Sequence, residues 1–550
     1  MKRFFHRRTR GNGRMFRNPV LPGFHPDPSL CRVGGDFYLV TSSFEYFPGV
    51  PIFQSRNLVD WRRLGHVLTR PSQLRLDRVQ SSGGIYAPTL RYAGGRYYVV
   101  ATHVGGGGNF FVTARRPDGP WSDPVWIDRD GIDPSLFFDE DAVYYTRNGR
   151  GADSDHPVIC QARIDLRAGK ILGKMQPIWS GTGGIWPEAP HLYRVGDTYY
   201  LLAAEGGTRY GHSEIVARSS NPFGPFDGYP KNPIVSHRRL RRHPIQATGH
   251  ADLVELADGT WWAVLLGVRP KNGRHHHLGR ETFLAPVTWT RDGWPTIGNA
   301  GRIELEMPAP ALYAEAAPVR HRAPSGAAAA PIDQGEREDF DARRPDPVWS
   351  FVRNPSPRDW SLSARPGWLS LYGSSVTLDD VGSPALLARR QQHFAVRCRA
   401  ALDFHPRFAH EEAGLTVRVD ENFHYDLAVR RAESGKPLEP DGAAREAVLR
   451  RRVHGESHVV GRYRLGRGIL VLQIEATEKA YAFSAGVGDR LAPLGSLSTK
   501  ALSAESVDAS GRMCFTGVCI GPYAAGSGGR RSSVPADFDW FEYVPSDASG

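Results

Sequence analysis

Through residue 307 the chain alternates short apolar runs with polar turn residues, and helical periodicity is weak. One pattern recurs five times: a small or acidic residue, often followed by Pro, a short apolar stretch, a Gly/Asp turn, and a strand with paired aromatics. The copies are DPSLCRVGGDFYLVTSS from Asp27, APTLRYAGGRYYVVATH from Ala87, DPSLFFDEDAVYYTRN from Asp133, APHLYRVGDTYYLLAAE from Ala189 and ADLVELADGTWWAVLLG from Ala251. Their starts lie 46 to 62 residues apart, the length of a propeller blade of four short strands. Each copy reads as an inner hairpin turning at pairs such as Gly34-Gly35, Gly94-Gly95 or Gly196-Asp197. The doublets Tyr97-Tyr98, Tyr144-Tyr145, Tyr199-Tyr200 and Trp261-Trp262 are expected to pack between blades. A sandwich of ordinary hairpins has no reason to repeat the same internal order five times.

The pattern changes after residue 307. Residues 308–334 are rich in Ala and Pro and read as a linker. Beyond it, HFAVRCRAALDF (393–404) and GLTVRVDENFHYDLAVRR (414–431) alternate with period two, the signature of an antiparallel β-sandwich. The expected fold is all-β: a basic tail at 1–17, a five-bladed β-propeller at 18–307, the linker, a concanavalin-like sandwich at 335–546 and a short tail at 547–550.

Composition excludes more than it assigns. The net charge of +11 comes mostly from arginine, in scattered runs such as Arg238-Arg239 and Arg450-Arg451-Arg452. None lies in a nucleic-acid-binding motif, so no nucleic-acid partner is expected. The five cysteines are odd in number and show no CxxC spacing, which argues against a disulfide framework or a zinc site. No apolar run follows the basic start, and no stretch is long enough to span a membrane. A cytoplasmic protein without a membrane partner is expected, with a homo-oligomer left open.

The repeat register places the chemistry. The first strand of each propeller blade lines the central channel, so equivalent residues converge at one end of the axis. The first position holds Asp27, Ala87, Asp133, Ala189 and Ala251; Glu188 and His250 lie one residue earlier. Three carboxylates and one histidine therefore meet around a space kept open by alanines. Paired carboxylates across a scissile bond are the equipment of glycoside hydrolysis, one activating water and the other protonating the leaving oxygen. A third carboxylate raises its neighbour's pKa. Phe44, Tyr46, Phe47 and Tyr86 lie close in sequence and offer flat faces for a sugar ring.

At NPVLPGFHPDPSL (18–30) and SSFEYFPGVPIFQSRNLVDW (42–61) the chain resembles glycoside hydrolase family 43, the β-xylosidases and α-L-arabinofuranosidases with an appended β-sandwich. The likeness continues through SSGGIYAPTLRY (81–92), GIDPSLFFDED (131–141), GTGGIWPEAPHLY (181–193), AEGGTRYGHS (204–213), PIQATGHADLVE (244–255) and HHLGRETFLAPVTW (276–289). The resemblance implies Asp27 as general base, Glu188 as general acid and Asp133 as the group that tunes and orients Glu188. It implies Arg280 and axial His250 as substrate contacts, with His250 also open to an ion or water. Phe44 and Tyr86 match pocket walls beside Ala87, and Thr208 lies in a pocket-lining loop. Inversion of configuration is implied as well. Two departures touch the pocket wall: many xylosidases of the family have Trp where Tyr86 stands, and Gly where Ala189 follows the acid.

From the sandwich, the loop CFTGVCIG (514–521) matches one that closes the site, with Phe515 the aromatic that reaches it. The segment HHHLGR (275–280) reads as rim or substrate contact, with only a weak metal signal. Asp339, Asp341 and Asp539 are candidates for a structural calcium; no cofactor is expected to be required. The reading is an exo-acting, inverting hydrolase that releases terminal xylose from β-xylo-oligosaccharides, with α-L-arabinofuranose as a second or alternative sugar. A propeller glycosyltransferase or phosphorylase, and a non-catalytic carbohydrate-binding protein, are the competing classes.

Overall fold

The computed structural model describes residues 13–140, 142–151, 154–315, 336–432 and 445–546. Among these residues the N-terminal half forms five four-stranded antiparallel sheets; four are built from consecutive strands, and the first is interrupted by Tyr46–Phe47, which pairs elsewhere. Their innermost strands are Ser29–Val33, Gly84–Ala93, Ser135–Asp139, Glu188–Val195 and Gln246–Glu255. These strands neighbour one another in order, and the fifth returns to the first. The architecture is a five-bladed propeller.

The aromatic doublets face neighbouring blades. Tyr97 meets Tyr38 at 5.3 Å, Tyr98 meets Phe138 at 5.1 Å, Tyr199 meets Phe137 at 6.3 Å and Tyr200 meets Trp289 at 5.1 Å between ring centroids. Such tilted and edge-on contacts add roughly 0.5–1.5 kcal/mol per pair beyond burial.

The ring is closed by the segment before blade 1. Met15–Arg17 forms a strand paired with Glu306–Pro308, so the expected tail ends earlier than residue 17 and its last residues belong to the propeller. Asn18 donates to the carbonyls of Leu284 and Glu304 and accepts from the Leu284 amide. On the axis, buried Asp252 of blade 5 accepts from Ser29 of blade 1 at 2.5 Å, from both terminal nitrogens of Arg91 of blade 2 at 2.8 and 3.1 Å, and from the Tyr193 hydroxyl of blade 4 at 2.5 Å. Arg91 also contacts His191 of blade 4 at 3.0 Å. Four blades thus share one fully bonded carboxylate, which the Arg91 charge holds ionised well below the usual carboxylate range despite its burial.

Two larger sheets pack face to face in the C-terminal half around a core that includes Leu415, Leu427, Leu472 and Phe483. One sheet continues into the propeller: Tyr46–Phe47, from the blade 1 loop, pairs with Trp349–Val352. The expected linker lies mostly outside the described residues, apart from the short helix Leu312–Glu315. All five cysteines are buried free thiols. No described helix is long and apolar enough to cross a membrane.

The axial carboxylate gives a first prediction. Asp252→Ala leaves Arg91 largely buried without its partner and is expected to lower unfolding stability by about 3–5 kcal/mol, measured by chemical denaturation. The same change at Asp118, whose partner Arg116 is exposed on the surface, should leave the midpoint unchanged.

Candidate active site

The left-handed backbone at the top of the axis identifies the converging positions. Asp27 and Asp133 both have φ 55°, Ala189 has φ 53° and His250 has φ 55°. A non-glycine residue adopts this region at a cost, and four blades place one there. In blade 5 the position belongs to His250 rather than Ala251, so the sequence register was off by one. Blade 5 lacks the proline that follows this position in the other four copies, so the small-residue cue fell on Ala251 instead; the pairing irregularity between Gly249 and Asp252 is shared with blade 4. Ala87 is buried at the corresponding irregularity of blade 2, between Tyr86 and Thr89.

Asp27 is 4% exposed and bonded on both oxygens. Oδ2 accepts from Ser42 Oγ at 2.5 Å; Oδ1 accepts from Arg280 Nη1 at 3.0 Å and faces His250 Nδ1 at 3.5 Å. Arg280 Nη1 also donates to Thr208 Oγ1 at 2.9 Å. Ser42 was not singled out from sequence, although it stands in the SSFEYF segment. It orients the carboxylate from the opposite side to Arg280.

Asp133, 7% exposed, lies where the Ala189 backbone N–H, next to Glu188, favours its charged form. Glu188 keeps partial contact with solvent. Burial and then the charge of Asp27 push the Glu188 carboxyl up to about 7, with Arg280 opposing. Burial also drives Asp133 well above the usual carboxylate range, reinforced by the charges of Glu188 and Asp27. Three carboxyls thus face one guanidinium, and the space holds a proton near neutral pH. Burial lowers the pKa of His250, so its imidazole stays neutral.

The walls are aromatic. Phe44, Tyr86 and Phe515 meet pairwise at 5.3 to 5.8 Å between centroids. The Arg280 guanidinium lies 5.6 Å from the Phe44 ring and 5.4 Å from the Phe515 ring. Phe515 comes from the sandwich and is fixed by three propeller contacts. Its N–H donates to Ser82 Oγ at 2.9 Å, its carbonyl accepts from Arg280 at 3.4 Å, and Arg209, which pairs with Asp508, lies over its ring. Tyr86 is held by its hydroxyl on the Ser82 carbonyl at 2.8 Å. Phe515 therefore reaches the pocket rather than the sandwich core.

The histidine run has a different role from the one expected. His276 Nδ1 contacts Glu505 at 2.7 Å, His275 contacts Ser503 at 2.8 Å, and His277 is buried against Phe394 and Tyr481. The run bolts the blade 5 loop to the sandwich. The calcium expectation also fails to find its cluster. Asp339 pairs with Arg337, Asp341 lies beside Gly367, and Asp539 is the extra residue of a bulge between Phe538 and Trp540. Among the described residues, no three His, Cys, Asp or Glu side chains gather as a cation site.

Comparison with known proteins identifies the two domains. Residues 16–295 match glycosyl hydrolases family 43, and residues 337–544 match the β-xylosidase C-terminal concanavalin A-like domain. The chain is 43% identical over 533 residues to a non-reducing end α-L-arabinofuranosidase of Bacteroides ovatus, covering 96% of this chain and 94% of that protein. It is 40% identical over 429 residues to a xylosidase/arabinosidase of Butyrivibrio fibrisolvens, covering 75% and 79%. The solved structure of the Bacteroides ovatus xyloglucan PUL GH43B superposes with a TM-score of 0.87 at 42% identity, over 97% of this chain and 100% of that one. With its acidic centre on the propeller axis and its sandwich closing the pocket, the chain belongs to glycosyl hydrolase family 43 and is a glycosidase.

Proposed function

We propose that the protein is an exo-acting, inverting glycosidase that removes a terminal pentose from short oligosaccharides: β-linked xylose, and α-L-arabinofuranose as a second sugar. The carrying observation is the division of labour among the three acids. Asp27, braced by Ser42 and Arg280, takes a proton from water as the water oxygen attacks the anomeric carbon. The glycosidic C–O bond breaks, and Glu188 delivers its proton to the departing oxygen. Asp133 holds the backbone beside Glu188 and adds to the negative field that keeps a proton in the pair. Attack opposite the leaving group inverts the anomeric centre. Arg280 and neutral His250 flank the base and contact the sugar, with Phe44, Tyr86 and Phe515 as walls. A primarily arabinofuranosidase reading is favoured by the 43% identity to the Bacteroides ovatus enzyme and by Tyr86 in place of a tryptophan.

Kinetics on aryl β-xyloside and aryl α-L-arabinofuranoside test the reading directly; no aryl alcohol released between pH 5 and pH 8 overturns it. Asp27→Ala and Glu188→Ala should each lower kcat by at least ~100-fold, with a smaller loss for Glu188→Ala on substrates whose leaving group needs little protonation. For the intact enzyme, kcat/KM should fall above about pH 7 as Glu188 loses its proton.

The same group links activity to stability. A carboxyl at about 7 in the folded protein and ~4.3 unfolded binds its proton more tightly when folded. Stability therefore drops as pH rises through that window. Glu188→Gln removes the penalty. It should be more stable than the parent by on the order of 1–3 kcal/mol at pH 8 and equal to it at pH 4, measured by chemical denaturation.

A further inference from the structure

Beside Glu188 lies a cleft of about 420 Å³, bounded by His156–Val158 of blade 3 and by Ser180 and residues 183–187 of the connection into blade 4. Two large apolar side chains stand open there, Ile185 at 58% and Trp186 at 55% exposure. Core packing does not account for them. Trp186 has φ 52°, a conformation that costs a bulky residue roughly 1–3 kcal/mol.

The backbone beneath is held firmly. Buried Glu205 accepts from the N–H of Thr182 at 2.8 Å, the N–H of Gly184 at 3.0 Å and the Thr182 hydroxyl. The Gly206 amide donates to the Ile185 carbonyl at 2.8 Å, and Asn148 donates to the Pro187 carbonyl at 2.6 Å. The Trp186 ring rests on Gly207, where an added Cβ would approach it to 3.0 Å. A strained, braced loop thus presents one flat indole face to solvent, two residues before Glu188.

Resting on the glycosidase reading, we propose that Trp186, flanked by Ile185, is the platform for the leaving-group saccharide, the sugar from which the terminal pentose is cut. Glu188 protonates the glycosidic oxygen, so the departing saccharide lies on the Glu188 side of the pocket. Pro187 joins the cleft directly to Glu188. The occupant is a pyranose of the oligosaccharide chain, whose C–H face stacks on the indole while its hydroxyls stay in water.

Binding separates this site from the chemistry. In an Asp27→Asn background, calorimetry compares D-xylose with xylotriose, and L-arabinose with arabinofuranosyl-substituted xylotriose. Adding Trp186→Ala or Trp186→Leu should weaken oligosaccharide binding by ~10-fold and leave monosaccharide binding within about twofold, while Trp186→Phe retains most of the affinity. Monosaccharide binding also reports that each variant is folded. Equal loss for both ligand classes, or no loss for the oligosaccharides, overturns the proposal. The glycosidase reading fails by a different result: the intact enzyme releasing no pentose from either oligosaccharide.

Discussion

Three carboxyl groups share a buried space with one guanidinium, and the design of the active end follows from that imbalance. Arg280 compensates Asp27 directly at 3.0 Å, leaving Glu188 and Asp133 in a field that disfavours a second and third negative charge. The protein therefore carries an acid ready to donate near neutral pH. The arrangement is costly to hold, because every carboxyl kept close to another resists folding above its own pKa. The Asp252 knot along the axis, bonded to Ser29, Arg91 and Tyr193, offsets part of that cost. The knot ties together blades 1, 2, 4 and 5, so Asp27 and Glu188 cannot drift apart to relieve their repulsion.

The sandwich takes part in the same electrostatics. Its sheet is continuous with Tyr46–Phe47, next to the loop that supplies Ser42 and Phe44. Its Phe515 carbonyl accepts from the guanidinium that pairs with Asp27. Moving the sandwich would displace an aromatic wall and loosen the partner of Arg280 together. The histidine run at 275–277 fits this role: it bolts the blade 5 loop, just before Arg280, onto the sandwich.

How much was legible in the sequence depended on whether a residue sat inside the repeat. Asp27, Asp133 and Glu188 could be aligned because each lies at or just before the start of an inner strand, and strand register propagates along a blade. The fold class followed from the same repetition, and the family likeness at the quoted motifs then supplied the roles. The one slip in alignment, His250 against Ala251, occurred in the copy that lacks the proline marking this position in the other four. Ser42 was missed because a serine in a loop carries no periodic signal. The purpose of the histidine triplet depends on Glu505 and Ser503, more than two hundred residues away, a separation that no local pattern encodes. The aspartates 339, 341 and 539 share oxygen chemistry without gathering as a cation cluster: Asp339 pairs with Arg337, and Asp539 is the extra residue of a strand bulge.

The same distinction explains why the reaction was easier to read than the sugar. Acid–base groups must converge on one bond, and a symmetric ring brings them together from repeated positions. Selectivity is assigned to side chains that break the repeat. Tyr86 stands at an irregularity in blade 2, Phe515 arrives from another domain, and Trp186 rides a strained connection between blades 3 and 4. Each can change without disturbing the axial register, because none takes part in closing the ring. On the proposed function, a propeller of this kind keeps one hydrolytic centre and varies the saccharide it accepts through residues that its periodicity leaves unspecified.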